Sequence, residues 1–428
     1  MKVRELLTEI SEGALDNVLV SLYGENNLEA QKIRYTEAVN EFASLYGNDR
    51  DVSLFSVPGR SEISGNHTDH NRGCVIAAAI DLDIIAVASE NGSDTVTVKS
   101  KGFPADSVSC NPEGPNEALF NTSSSLLSGV CAGFKNRGYK VCGFDAYTTS
   151  NVLKGSGISS SAAFEVMIGN ILNHFVNEGK ISAPVIAEIS QYAENVYFGK
   201  PSGLMDQTAC AVGGFSYIDF ADPKAAKIEK LNFDLSKEGY SLCITNTGGN
   251  HADLTGDYAA VPVEMKAVAK EFGLDVLRGL TREELLGKAK ELRSKVGDRA
   301  ILRAFHYIGE NARVNAQADA LRAGDAEGFF NGVKESGRSS FMWLQNVYTV
   351  KNVEEQGLSL ALAVTEHALS STKRTSAWRI HGGGFAGTIQ AFVPNEDVPS
   401  YKAEIETVFG EGSCSVLRVR KEGAIKVL

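Results

Sequence analysis

Lys154-Gly155-Ser156-Gly157-Ile158-Ser159-Ser160-Ser161-Ala162-Ala163 decides how the rest of the chain is read. Residues 144–153 before it look extended. Ala162, Phe164, Val166, Met167, Ile168, Ile171, Leu172 and Phe175 after it fall at helical spacing. A strand, a glycine bend and a helix start are therefore expected in that order. Glycine allows the tight bend and lets the backbone approach a bulky anion. Serines at a helix start lie among unpaired N–H groups at the positive end of the helix dipole. The combination is a candidate phosphate cradle. Its competitor is an ordinary strand-to-helix turn with a serine cap.

Outward from that stretch, 428 residues exceed one typical core and predict two domains. A hydrophobic content of 43% with 22% charged residues is that of a soluble globular protein. The net charge of -11, with no run of Lys and Arg, argues against a nucleic-acid partner. A nucleotide ligand is still open, because it needs only backbone amides and one or two cations. The longest apolar run, residues 74–88, is interrupted by Asp81 and Asp83, so no membrane span is expected. Cys74, Cys110, Cys131, Cys142, Cys210, Cys243 and Cys414 are scattered without C-x-x-C spacing, which predicts reduced thiols in a cytoplasmic protein. Residues 1–6 lack an apolar core of the secretory type, and no signal segment is expected.

Helices are predicted over residues 3–20 and 28–45, as an accessory layer spanning 1–50. Residues 51–57 alternate as a strand and run into a turn at Pro58-Gly59. A dense polar stretch, 60–73, leads to strands at 74–90 and 95–99. Residues 121–128 read as a loop. Helices follow at 160–178 and 183–198, and a short one begins at 204–207. Strands are expected at 215–220 and 241–246, then an almost wholly helical stretch from 258 to about 367 with breaks near Gly273, Gly297 and Gly324. Strands at 377–380, 388–393, 415–420 and 424–427 close the chain around one more helix. Strands and helices mix without regular alternation, which favours an α+β fold. The expected division is a helical extension at 1–50, a lobe at 51–230 and a second lobe at 231–428.

No G-x-x-x-x-G-K-[ST], H-R-D or D-F-G element occurs. A phosphate site here lies outside the P-loop and protein-kinase designs. Phosphoryl transfer needs magnesium ligands, a cation for the spreading charge and a group that deprotonates or orients the acceptor. Ser161 and Glu194 are candidate ligands for Mg2+, which takes one or two protein oxygens plus phosphate and water. Asp206 is a candidate base. The competing readings are a solvated helix charge for Glu194 and a helix-start carboxylate for Asp206.

Pro58-Gly59-Arg60 with Gly65-Asn66-His67-Thr68-Asp69-His70-Asn71-Arg72-Gly73 resembles the galactokinase signature. Residues 155–163 resemble the glycine–serine loop of the galactokinase, homoserine kinase, mevalonate kinase and phosphomevalonate kinase superfamily. Arg379-Ile380-His381-Gly382-Gly383-Gly384-Phe385-Ala386-Gly387 looks like that superfamily's third motif. Ala193-Glu194, Gly203-Leu204-Met205-Asp206-Gln207 and His306 with Glu310-Asn311-Ala312-Arg313-Val314 match the galactokinase pattern in the same order. The resemblance implies a two-lobed α+β small-molecule kinase with its active site between the lobes, acting on the anomeric hydroxyl of a sugar, galactose first, with ATP and Mg2+. It puts Asp206 on the catalytic aspartate and Arg60 on the arginine that keeps it ionised. ATP phosphates are assigned to Gly155, Ser156, Gly157, Ser159, Ser160 and Ser161, and magnesium to Ser161 and Glu194. Sugar hydroxyls are assigned to Asn66, His67, Asp69 and Tyr258, with Gly382, Gly383 and Gly384 closing over phosphates and acceptor. The implied partners are the sugar and ATP, in a monomer or weak oligomer.

The chain departs from the pattern at Asn66, where glutamate is usual, at His70 for tyrosine and at Glu62 for asparagine. In the third motif His381 replaces threonine and Ala386 a glycine. These changes bear on the preferred sugar and leave open N-acetylgalactosamine, arabinose or galacturonate as acceptor. A non-catalytic galactose-sensing regulator is the rival from another class, and the retained Arg60, Ser161, Glu194 and Asp206 speak against it. His67 and His70 around Asp69 have metal-site spacing but no further ligand cluster. His174, His306 and His367 read as packing or surface residues.

Overall fold

Three helices open the chain in the computed structural model, which describes residues 1–152, 160–222, 225–249 and 254–428. They are α1 (Val3–Ser11), α2 (Asp16–Tyr23) and α3 (Leu28–Tyr46). The single helix expected over 3–20 is two, separated at Gly13, whose φ of 84° is left-handed. Leu6, Leu19, Leu22, Tyr35 and Phe42 from these helices pack on Leu54, Ile85, Val87 and Tyr147 of the sheet behind them.

That sheet is built on two long strands, β1 (Ser53–Ser64) and β2 (Cys74–Glu90), paired antiparallel. The turn expected at Pro58-Gly59 is absent, because β1 runs straight through it. Proline lacks a ladder N–H and is tolerated at a bulge, and the register shifts between Pro58 and Arg60 and again between Glu62 and Ser64. Next come β3 (Thr95–Ser100), β4 (Ala105–Ser109) and α4 (Ser123–Asn136). Of residues 121–128, expected as a loop, all from Ser123 on belong to the start of α4. The Thr122 side-chain oxygen accepts the Ser125 N–H at 3.3 Å, so the serine run is a capped first turn.

β5 (Phe144–Ser150), α5 (Ser160–Val176), α6 (Ala183–Tyr192), α7 (Met205–Val212), β6 (Phe215–Asp219) and β7 (Lys227–Leu231) complete the first half. The far edge of β2 is shared by β5 and β6. α5 buries Ala162, Val166, Met167, Ile168 and Ile171 against α4, α6 and the sheet.

The second half contains β8 (Tyr240–Asn246), α8 (Thr255–Glu271), α9 (Arg282–Lys295), α10 (Asp298–Ala323), α11 (Ala326–Ser339), α12 (Gly357–Leu369), β9 (Ala377–His381), β10 (Thr388–Pro394), α13 (Val398–Phe409) and β11 (Cys414–Leu417). Its sheet runs β11-β8-β10-β9. The helical stretch expected to about 367 has one more break, at 345–356, where Gln345 takes a left-handed φ of 57° after a π-turn over Ser340–Leu344. A last strand, β12 (Ile425–Lys426), returns to pair with β1. One cluster joins the halves: Ile63, Ile76 and Phe215 meet Leu242, Phe329 and Phe392. Among the described residues no helix is long and apolar enough to cross a membrane.

Candidate active site

Just past the first β1 bulge, Arg60 points at the first turn of α7. Its Nε and Nη2 donate to the two carboxylate oxygens of Asp206, each at 2.7 Å, a bidentate fork only arginine makes. The side chains are 11% and 29% exposed, so the pair has a wet side. Burial works against the Arg60 charge, but Asp206 outweighs it and holds the guanidinium above its ordinary value.

One residue further on α7, Gln207 is fully buried and shares its amide between two carboxylates: Glu194 Oε2 at 2.7 Å and Glu165 Oε2 at 3.1 Å. Glu194 sits on a π-turn, Ala193–Tyr197, that continues α6, the kind of local unwinding that concentrates at functional sites. The hydroxyl of Ser161, in the first turn of α5, reaches its Oε1 at 3.3 Å, and Lys200 Nζ reaches the same oxygen at 2.9 Å. Burial, then the Glu194 charge, pushes the Glu165 carboxyl well up. Glu165 Oε1 and Gln207 Oε1 are buried with no hydrogen-bond partner. An unsatisfied buried polar pair beside a hydroxyl and a carboxylate is a hard, oxygen-only donor set, which suits Mg2+. Among the described residues no group of three or more His, Cys, Asp or Glu is placed to hold a metal, so an ion held by Ser161 and Glu194 would need further oxygens from elsewhere.

Across from these groups lies the 65–73 loop, closed by Thr68, whose hydroxyl lies 2.8 Å from the carbonyls of both Gly65 and Cys74. His67 Nε2 donates to the Gly383 carbonyl at 2.8 Å, and Tyr258 donates to Gly384 O at 2.7 Å. A Cβ on Gly383 would stand 2.7 Å from the Tyr258 ring and 3.7 Å from His67 Nε2, so only glycine lets the three meet. Asn66 is fully buried. Its amide donates to Glu62 Oε1 at 2.9 Å and Gly382 O at 2.7 Å, and its oxygen accepts from Asn346 at 2.6 Å. Asp69 accepts the His70 N–H at 2.9 Å, and its other oxygen would lie 3.0 Å from a Cβ on Gly203, in the turn leading to α7.

The structure thus brings Arg60, Asp206, Glu194 and Ser161 together on the α5–α7 side, and Asn66, His67 and Tyr258 together with Gly382, Gly383 and Gly384. Ser160 begins α5. Gly155, Ser156, Gly157 and Ser159 lie outside the described residues.

Several residues that the sequence named without a role at the site support it from behind, and a few it did not name join them. His306 is a packing residue that also orders the 65–73 loop. Its Nε2–H donates to the Asn66 carbonyl and its Nδ1 accepts from Ser339, both at 2.9 Å, while burial pushes the imidazole down to about 4. Glu310 takes the Gly65 N–H at 3.1 Å and Ser336 at 2.5 Å; burial opposes its charge, and Arg313 above all holds it down to about 2. His381 gives Nδ1 to Thr388 at 2.9 Å and keeps a buried Nε2 without a partner; burial, Arg60 and Arg379 hold it down to about 3. Glu165 had a readable signal, a carboxylate on the apolar stripe of α5, four residues after Ser161. Asn346 had none, because its partners are distant in sequence.

Residues 125–214 match the family described as "GHMP kinases N terminal domain", and residues 40–90 match "Galactokinase galactose-binding signature". The chain is 30% identical to human galactokinase, with 92% of this chain and 96% of that protein covered. It is 28% identical to galactokinase of Streptomyces coelicolor, over 88% of this chain and 94% of the other. A crystal structure of Lactococcus lactis galactokinase complexed with galactose superposes with a TM-score of 0.73 at 22% identity, covering 92% of this chain and all of that one.

Proposed function

The chain belongs to the galactokinase family, and from that premise we propose that the Arg60–Asp206 pair is where it transfers phosphate from ATP to galactose. The reaction is ATP-dependent phosphorylation of the sugar's anomeric hydroxyl. Asp206 accepts the hydroxyl proton, the sugar oxygen bonds to the terminal phosphorus of ATP, and ADP leaves. The adjoining guanidinium favours the ionised carboxylate that a base requires, and it offsets charge on the moving phosphoryl group. His67, Asp69 and Tyr258 hold sugar hydroxyls. Asn66, with both polar atoms engaged inside the protein, shapes the same acceptor pocket through Glu62, Asn346 and Gly382.

The phosphates of ATP lie against Gly155, Ser156, Gly157, Ser159, Ser160 and Ser161, a reading supported by the glycine–serine motif and by the helix that starts at Ser160. Ser161 and Glu194 would hold Mg2+, which neutralises phosphate charge when bound. Gly382, Gly383 and Gly384 close over the acceptor. The same proposal divides the chain into an extension at 1–50 and lobes at 51–230 and 231–428. It places the protein in the cytoplasm as a monomer or weak oligomer, in keeping with seven free cysteines.

The observation that carries this reading is the two-point contact between Arg60 and Asp206, beside the sugar signature. Purified protein is to be incubated with MgATP and, separately, galactose, N-acetylgalactosamine, arabinose and galacturonate, while ADP release is followed. Release with galactose, and galactose 1-phosphate as product, is expected. Silence with galactose overturns the proposal.

A further inference from the structure

Lys200 stands on a turn between Gly199, with a left-handed φ of 81°, and Pro201, and its backbone N–H is tied to the Glu194 carbonyl at 3.1 Å. Its Cα is therefore fixed while its stem is not. The ammonium lies 2.9 Å from Glu194 Oε1, the oxygen that the Ser161 hydroxyl also reaches at 3.3 Å. The other oxygen, Oε2, is turned inward to Gln207. Glu194 is 3% exposed and Lys200 57%, so the ammonium covers the solvent side of a buried carboxylate. A buried carboxylate needs a compensating charge, and among the described residues Lys200 supplies its ion pair.

One carboxylate oxygen does not serve an ammonium and a divalent cation together at close range, since the two charges repel. Resting on the assignment of Glu194 to Mg2+ above, we propose that Lys200 and the metal ion are alternative partners of Glu194 Oε1, and that the displaced ammonium becomes a contact to the nucleotide's phosphates. The flexible four-carbon stem permits the swing, and three rotatable N–H donors suit a phosphate approached as a point charge. The destination follows from charge: the metal ion carries phosphate oxygens into the space beside Glu194, within the arc of a lysine anchored at the same turn. Lys200 would thus exclude the bare ion from the carboxylate and reward its arrival with nucleotide. It is a nucleotide-binding residue, outside the transfer chemistry itself.

The test uses the full chain, with Mn2+ as a paramagnetic probe counted by electron resonance and a magnesium complex of a non-hydrolysable ATP analogue measured by calorimetry. Lys200→Met is expected to bind Mn2+ several-fold more tightly in the absence of nucleotide, and the analogue about tenfold more weakly, the size of one lost charge-assisted hydrogen bond. Lys200→Arg is expected to restore most of the analogue's affinity. An unchanged Mn2+ affinity or an unchanged analogue affinity in Lys200→Met overturns the proposal. Glu194→Gln separates the two levels of inference. If it leaves Mn2+ binding at the wild-type value, the metal assignment of Glu194 has failed, and the Lys200 proposal with it. If it abolishes Mn2+ binding while Lys200→Met changes nothing, only the role of Lys200 is overturned.

Discussion

Two arginine–aspartate assemblies lie almost side by side on the β1–β2 ladder, and they do opposite work. Asp83, paired across the ladder with Pro58, is wholly buried. It takes Arg34 at 2.7 Å, Arg420 at 3.3 Å, Tyr23 at 2.5 Å and the hydroxyl of Ser56. Burial opposes its charge, and Arg34 and Arg420 overcome that and hold the carboxyl below its usual range. Arg60, two residues after Pro58, meets Asp206 in one planar fork with a wet side. The donors on Asp83 come from α2, α3, β1 and the segment before β12, so a saturated carboxylate pins four parts of the chain and has no face left for a substrate. Chemistry needs a charge held firmly on one side and exposed on the other. That distinction also gives residues 1–50 a purpose, since Tyr23 and Arg34 anchor the very ladder that carries Arg60.

Breaking the buried assembly is expected to have the largest effect on stability. Asp83→Asn leaves two guanidinium groups uncompensated and is expected to cost about 3–5 kcal/mol in chemical denaturation. Turnover per folded molecule should change far less; a large loss of turnover with little loss of stability would erase the contrast. At the other assembly the order reverses. Asp206→Asn is expected to lower kcat by about 10² or more, as loss of a general base does, with a smaller shift in melting temperature than Asp83→Asn. Unchanged kcat would remove Asp206 from the chemistry.

A pH series sharpens the comparison from a third buried group. His306 is held neutral, with a folded value of about 4 against an ordinary 6.5. The unfolded chain therefore binds the extra proton first, so the stability this residue contributes is complete above about 6.5 and drains away as pH falls towards 4. Denaturation midpoints across that window should decline in the parent protein and flatten in His306→Gln. An equal slope in both would show that the Asn66–His306–Ser339 chain does not control the titration.

The smallest effect is expected where the same chemistry meets water. Arg322 holds Glu229 through two contacts of 2.9 Å, with side chains 38% and 35% exposed. Arg322→Ala should cost no more than about 1 kcal/mol, measured by the same denaturation. A larger loss would mean that burial does not rank these pairs.

Much of this was legible in the sequence where the information is local. The long strand after residue 73 and the breaks at Gly273, Gly297 and Gly324 are written in short windows, whereas the pairing of Arg60 with Asp206 comes only through the family resemblance. The misreadings occur where tertiary structure overrides local cues. Pro58-Gly59 has turn composition, yet the strand continues because β2 supplies a partner that tolerates a bulge there. The serine run at 123–125 looks like a loop until Thr122 caps it. Glu62, Asn66, Asn346 and Arg379 form one buried network from residues up to 317 apart, and no window contains it. The pocket proposed for the acceptor is the part least readable in advance, because its polar groups are paired by the fold and not by their neighbours.

The central claim is that the exposed side of the Arg60–Asp206 fork receives the sugar. A crystal structure with galactose and a non-hydrolysable ATP analogue tests it directly. The anomeric oxygen is expected within hydrogen-bonding distance of the Asp206 carboxylate, with the terminal phosphate facing Arg60. Galactose bound with that oxygen turned away from Asp206, or a nucleotide remote from Arg60, would contradict the claim.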